Sequence, residues 1–486
     1  MPSVNFMRPE LQKRMRDYAL IADALAGEPT VKSKGSVYLP APQPVTDIEG
    51  RDRYTAYKTR AVFYNVTKRT QQGLIGQLFN RAPQIEVPDY LLPTVGSMNG
   101  LGVNAMQQCK ATAAEVVAFG RAGLLTDFPT VDKEVTAADI QSGRIASTIT
   151  FYEAGKIINW RYQRDYTTKK LLFVILEEER EDYKSNDYAF TKSKQWRVCR
   201  LDASGYYVQE VYFDNNSEPQ FRTTPRGHDG ERLDYIPFRF IGSEDNDPDI
   251  DEPPMYSIAS LNMAHYRNSA DFEDSLFYVG QPTIAISGLT QAWVDQNLKG
   301  KLRMGSRNAI LLPENGKLEI AQAEPNNLAK EGMEQKERQM VALGAKLVEQ
   351  KQVQRTATEA SQEEAAETSV LSTVADNCSV AYAEAFADAS RFITDETPKI
   401  NFKINTAFEI STMDANSRAE TIKEWQMGAL AWPEMRQVLR RAGIATMSDD
   451  EAKAKIAEEE RVRALAAAAN NGPAKVQEPG NSNNGE

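Results

Sequence analysis

Apolar residues return every three or four positions between Asp52 and Phe79, at Tyr54, Tyr57, Ala61, Val62, Val66, Leu74, Ile75 and Leu78. That spacing predicts one helix, which Pro83 closes. A second helix is expected over Ala105–Ala118, with Met106, Cys109, Ala113, Val116 and Val117 on one side, and Gly120 to Pro129 reads as a turn into a short buried strand. The character changes near Thr148. Ile149–Tyr152, Leu171–Glu178, Trp196–Leu201, Tyr206–Phe213 and Ile236–Ile241 are short, rich in β-branched and aromatic residues, and separated by Gly, Asp, Asn and Pro clusters. These segments predict a mainly antiparallel sheet.

Helical pattern returns at Ile258–Val279, a stretch without Gly or Pro that would make a rod of about 33 Å and ends at Gly280-Gln-Pro282. Thr283 to Gly316 reads as a compact insert in which strand-like Thr283–Ile286 and Ala309–Leu312 bracket the basic residues Lys299, Lys301, Arg303 and Arg307. A further helix, N-capped by Asn326 or Asn327 and running to about Glu349, carries Leu328, Met333, Met340, Leu343 and Leu347 on one side. The polar break Gln350 to Thr356 separates it from the longest expected helix, Ala357–Ile393, about 55 Å if continuous. A strand over Lys399–Ile404 and a helical region over Ala415–Ala442 with Trp425 and Trp432 follow. Beyond Asn470 no periodicity remains, which reads as disorder.

Composition narrows the function more than the fold. With 486 residues, 41% of them hydrophobic, the chain can bury several cores, and no apolar run approaches the roughly 20 residues needed to cross a bilayer. No signal peptide is readable at the N-terminus, so assembly in the cytoplasm is expected. Cys109, Cys199 and Cys378 are odd in number and embedded in patterned segments, which predicts buried thiols. A formal charge of −11 argues against gripping nucleic acid over the whole surface, although an acidic protein can still handle DNA that it must let slide.

Several chemistries lack their residues. His228 and His265 cannot supply a zinc motif, and His265 reads as a surface or interface residue; Trp160 reads as a packing residue. Gly300-Lys301 is followed by Leu and lacks the upstream glycine of a phosphate loop. Gly100-Leu-Gly102 has no βαβ context for a dinucleotide. The acidic run Glu244 to Glu252 is too charged for a core and reads as a solvated connection, and it lacks the glycine and distal glutamate of a calcium loop. Between Ala357 and Glu396 nine acidic residues face one Arg, more lopsided than an ordinary solvated helix face. No cofactor, metal or catalytic residue is expected.

The order of elements, an α+β region, a helix, a small insert, a helix, a polar break, a very long helix and a helical C-terminus, resembles the wing, stem, clip, stem, tunnel loop, long wing helix and crown of tailed-phage portal proteins. The residues that carry the likeness are Ala56 to Asn65, Gly120 to Pro129, Tyr152 to Arg161, Leu261 to Asp271 and Arg355 to Ala360. The resemblance spans about residues 50–440. It implies a wing over 1–255, stem helices over 256–280 and 326–349, a clip over 281–325, a tunnel loop over 350–356, a long wing helix over 357–397, a crown over 398–469 and a disordered tail over 470–486. It further implies a homododecameric ring at one capsid vertex, through which double-stranded DNA passes without sequence readout. Its partners would be terminase, the major capsid protein and head-tail adaptors, with no membrane.

On that likeness Gln350, Lys351, Gln352, Gln354 and Arg355 would meet DNA, though a plain helix-to-helix turn fits the same residues. Lys299, Lys301, Arg303 and Arg307 would face motor and tail partners, or form an ordinary solvated loop. Met340, Leu343 and Leu347 would pack the stem, or an ordinary intramolecular hairpin. Competing readings are an adaptor or scaffold protein, which is usually shorter, and a carboxylate-metal nuclease, which would need acidic residues at strand ends.

Overall fold

The computed structural model describes residues 4–129, 139, 143–165, 168–183, 188–213, 218–280, 283–298, 312, 315–321, 328–347, 369–406, 415–441, 445 and 447–470. Two compact units divide the chain at Thr406 and Ala407, and helices and strands mix in an α+β arrangement.

In the first unit α1 (Pro9–Ala26), α2 (Glu28–Ser33), α3 (Ile48–Arg60) and α4 (Val66–Leu78) precede β1 (Gln84–Glu86), α5 (Leu92–Gly96) and α6 (Ala105–Phe119). Pro9 in the first turn and Gly27, at φ +96°, bound α1, yet only Leu11, Tyr18, Ile21 and Ala24 are buried along it. Those positions follow helical spacing, although no element was expected from the sequence ahead of Asp52. The single helix expected from Asp52 to Phe79 is two helices, broken at Ala61–Asn65 without Gly or Pro. The bonds that replace the helical ladder there come from a distant segment. Ser269 Oγ accepts from Val62 N (2.8 Å) and donates to Val62 O (2.7 Å), and Asn262 Nδ2 donates to Tyr64 O (2.8 Å). Asn65 then caps α4 by accepting from Lys68 N.

The strand region is antiparallel, as expected, but forms two sheets where one was expected. A three-stranded sheet has the order β3 (Thr148–Glu153), β2 (Arg121–Asp127), β9 (Phe238–Gly242). A five-stranded sheet runs β4 (Ile157–Asp165), β5 (Thr168–Tyr183), β6 (Phe190–Leu201), β7 (Tyr207–Phe213), β8 (Phe221–Thr223). Two features admit the close packing around β2. Gly120 ends α6 in the left-handed conformation at φ +76°, and a Cβ on Gly123 would lie 2.4 Å from the Phe238 ring.

The remaining elements of this unit are α7 (Tyr256–Val279), β10 (Thr283–Ser287), β11 (Lys317–Ala321), α8 (Leu328–Lys346), α9 (Val370–Arg391) and β12 (Asn401–Lys403). The strand that pairs with β10 is Lys317–Ala321, so the hairpin closes later than the Ala309–Leu312 segment suggested; Ala309–Leu311 lie outside the described residues. Nor does an unbroken rod run from Ala357 to Ile393. Ser369 is extended (φ −69°, ψ 158°) and caps α9 by accepting from Ser372 N, so the helix starts at Val370; 357–368 lie outside the described residues.

Packed against β2, β9 and α6, α9 forms the centre of the unit. Thr112 and Tyr382 hydroxyls lie 2.9 Å apart, Thr126 Oγ1 donates to Ala385 O, and Asn377 Nδ2 donates to Gly242 O. The lopsided acidity of this helix has a partial internal answer: Asp388 is buried and accepts from Nε and Nη2 of Arg239, whose Nη1 reaches Glu384 at 3.2 Å. Burial pushes the Asp388 carboxyl up, and Arg239 offsets only part of that. All three cysteines are buried free thiols and Trp160 is buried, as the sequence suggested.

The second unit contains α10 (Ala415–Gln426), α11 (Trp432–Arg441) and α12 (Asp449–Asn470). The helical region expected over Ala415–Ala442 is interrupted at Gly428, which sits at φ +77°.

Candidate assembly site

α7 and α8 form an antiparallel pair. His265 Nε2 meets Glu337 Oε1 at 3.1 Å, while a Cβ on Gly332 would lie 2.8 Å from Asn268 Nδ2, so advancing along α7 means retreating along α8. The β10–β11 hairpin lies between them in sequence, with Thr283 opposite Ala321 and Ser287 opposite Lys317. His265 corrects the sequence reading: it is buried within the chain, where Glu337 and the Tyr64 ring, 6.1 Å away, enclose it.

The half of α7 nearest its N-terminus is anchored by polar residues that hydropathy alone would place outside. Asn262 accepts from Thr67 N and Thr67 Oγ1 and donates to Tyr64 O; a fully buried amide so satisfied costs little and fixes one geometry. Toward the far end Tyr57 Oη donates to Asp271 Oδ1 at 2.6 Å, and Arg53 and Arg60 both bond Asp274. The Arg53 guanidinium, helped by Arg60, holds the Asp274 carboxyl below the usual range. The same two arginines lie over the rings of Tyr278 (4.8 Å) and Phe277 (4.2 Å). Sequence reasoning missed these positions. Their one visible signal is the set of polar residues Asn262, Ser269, Asp271 and Asp274 spread along the helix.

Of the stem residues named from the sequence, Met340 is completely buried, whereas Leu343 and Leu347 are half-buried. Leu347 O also accepts from Leu371 N at 3.2 Å, which ties the end of α8 to the start of α9. The pair leaves large apolar side chains in solvent: Leu328 is 73% exposed and Val341 70%, with Leu276 half exposed. Lys299, Lys301, Arg303 and Arg307 lie outside the described residues, as do Gln350, Lys351, Gln352, Gln354 and Arg355. Among the described residues no group of three or more His, Cys, Asp or Glu could hold a metal ion, and no helix is long and apolar enough to cross a membrane.

A family described as a domain of unknown function (DUF4055) matches residues 254–393, from just before α7 to just after α9. No curated protein matches the chain. Among solved structures, a chain from the neck of an empty GTA particle computed with C6 symmetry is 13% identical, with 87% of this chain and all of that one covered and a TM-score of 0.39. A chain from the virion of a native gene transfer agent particle is 14% identical over 86% of this chain and 99% of that one, with a TM-score of 0.37. A chain from the neck of a native GTA particle computed with C12 symmetry is 13% identical over 84% of this chain and 98% of that one, with a TM-score of 0.40.

Proposed function

We propose that the chain is a portal subunit, a structural virion component that closes into a ring around the DNA channel at the capsid vertex, and that it has no enzymatic chemistry of its own. The observation that carries this reading is the α7–hairpin–α8 element. Two antiparallel helices bridged by a β-hairpin lead toward a helix sunk in an α/β unit, in the order that portal proteins follow. The pair is locked inside the chain by Asn262, His265 and Met340 while Leu328 and Val341 stay uncovered. A helix pair with one face packed and apolar residues left in water fits lateral packing against the neighbouring copy.

In this function the α7–α8 pair is the stem, the insert after Val279 is the clip, and Lys299, Lys301, Arg303 and Arg307 meet the packaging motor and later the adaptors. Gln350, Gln352 and Gln354, with Lys351 and Arg355, form the loop that touches DNA. Neutral amides with few cations, set in an acidic protein, give screened and exchangeable phosphate contacts, so DNA is retained without being trapped. Electron microscopy of the purified full-length chain tests the proposal: rings of about a dozen subunits are expected. A monomer at every concentration excludes it. In filled heads, a photoreactive group at Gln352 should label DNA.

A further inference from the structure

Arg121 opens β2 opposite Gly242 and is only 1% exposed. Its guanidinium lies over two rings, 4.0 Å from the Trp160 centroid and 4.7 Å from that of Phe240, so β4 of one sheet and β9 of the other both reach it. The ring faces attract the charge, but the edge of the fork, where the N–H groups point, stays uncompensated. Among the described residues Nε, Nη1 and Nη2 have no hydrogen-bond partner, and no carboxylate pairs with them. Burial lowers the guanidinium to about 10, which still leaves it a cation at neutral pH. A buried cation without an acceptor is strongly destabilising.

The orphaned groups around it have the same polarity. Trp160 Nε1 and, on α1, Tyr18 Oη are also buried without a partner among the described residues. Tyr18 and Arg121 are each other's strongest electrostatic neighbour among ionisable groups. Arg8, itself paired with Glu10, adds a second guanidinium over the Trp160 ring at 4.6 Å. The nitrogens only donate and the hydroxyl can donate, so an acceptor is the group that satisfies them all. Water fits poorly, because its own two protons need acceptors and, of these orphaned side-chain atoms, only Tyr18 Oη offers one. Water also leaves the charge unneutralised. A ligand with a tail, such as a nucleotide or a peptide carboxylate, cannot reach a group so enclosed without opening the fold. A small monovalent anion meets each requirement.

We infer that the guanidinium edge of Arg121, with the Tyr18 hydroxyl, holds a halide-sized monovalent anion where α1 and the two sheets meet. The site lies inside one chain, so it is the same whether or not copies associate. The full-length chain is purified throughout in sodium gluconate, whose anion is too large to enter, and gluconate is then exchanged for bromide at constant ionic strength. The melting temperature is expected to rise along a saturable curve by about 2 °C or more. Arg121→Met, which keeps the apolar stem, should lose that rise. Tyr18→Phe should keep it, with a bromide dissociation constant about tenfold weaker. A wild-type melting temperature with no saturable bromide dependence overturns the site, as does a dependence that survives Arg121→Met. Should Arg121→Met not fold, an unchanged bromide dissociation constant in Tyr18→Phe overturns it.

Discussion

α9 and α8 are of similar length and opposite situation. α9 buries 12 of its 22 residues, among them Asp388 and Ser390, whereas α8 buries Met340 alone of its 19. Each buried polar side chain on α9 named above has a partner within the chain; along α8 the apolar side chains of Leu328 and Val341 are mostly exposed. One helix is completed by its own fold. The other leaves much of its surface open among the described residues, and a neighbouring subunit is the proposed cover.

The sharpest way to break the contrast is Arg239→Ala, which strands the buried Asp388. A loss of about 3–5 kcal/mol in urea unfolding is expected, most of it recovered by adding Asp388→Asn. A smaller change of opposite sign is expected at Glu115 on α6, which accepts from Ala154 N at 2.9 Å. Burial pushes its carboxyl from 4.5 up to about 8, so the folded chain holds an extra proton between those values and stability falls as pH rises through that window. Glu115→Gln should raise stability by roughly 2 kcal/mol at pH 7 and flatten the slope of melting temperature against pH there.

On the α7 side, Asp274→Asn should cost about 1 kcal/mol at pH 7, with solvent screening included. Because the folded carboxyl is held low, that contribution is present above the usual carboxyl range and disappears as pH falls through the folded value, so wild type and variant should converge in acid melts. Last comes Val341→Asp, with a change in monomer stability within about 0.5 kcal/mol but loss of rings by size-exclusion chromatography. An intact ring would show that α8's open face is not an interface. Val341 is a cleaner probe than Met340, whose burial inside the helix pair means that a charge there damages the subunit itself.

How much of this was legible depends on where each element finds its bonds. α6, α7 and most of the strands carry their own period, so their existence and approximate ends follow from the chain alone. Ala61–Asn65 does not: its helical spacing is continuous, and the break is set by Ser269 and Asn262, some two hundred residues on. His265 reads as a surface residue because its partner, Glu337, belongs to another helix. In the candidate site, Met340 was readable as apolar and interior, whereas the Asp274–Arg53–Arg60 lock depends on a meeting of α3 and α7 that no local pattern encodes.

The pairing of β1 with β12, Gln84 opposite Lys403 and Glu86 opposite Asn401, bears on how the chain is made. At about 5–20 residues per second, a ribosome needs roughly 15–60 s to travel from one strand to the other. For that interval β1 is an unpaired edge, and for nearly as long α6 and the three-stranded sheet lack the α9 that covers them. The nascent subunit thus carries an open core until its last third is synthesised, and lateral association begun earlier would join unfinished copies. On the ring reading proposed above, the late pairing of β1 with β12 would hold back lateral association until the core of the first unit is closed.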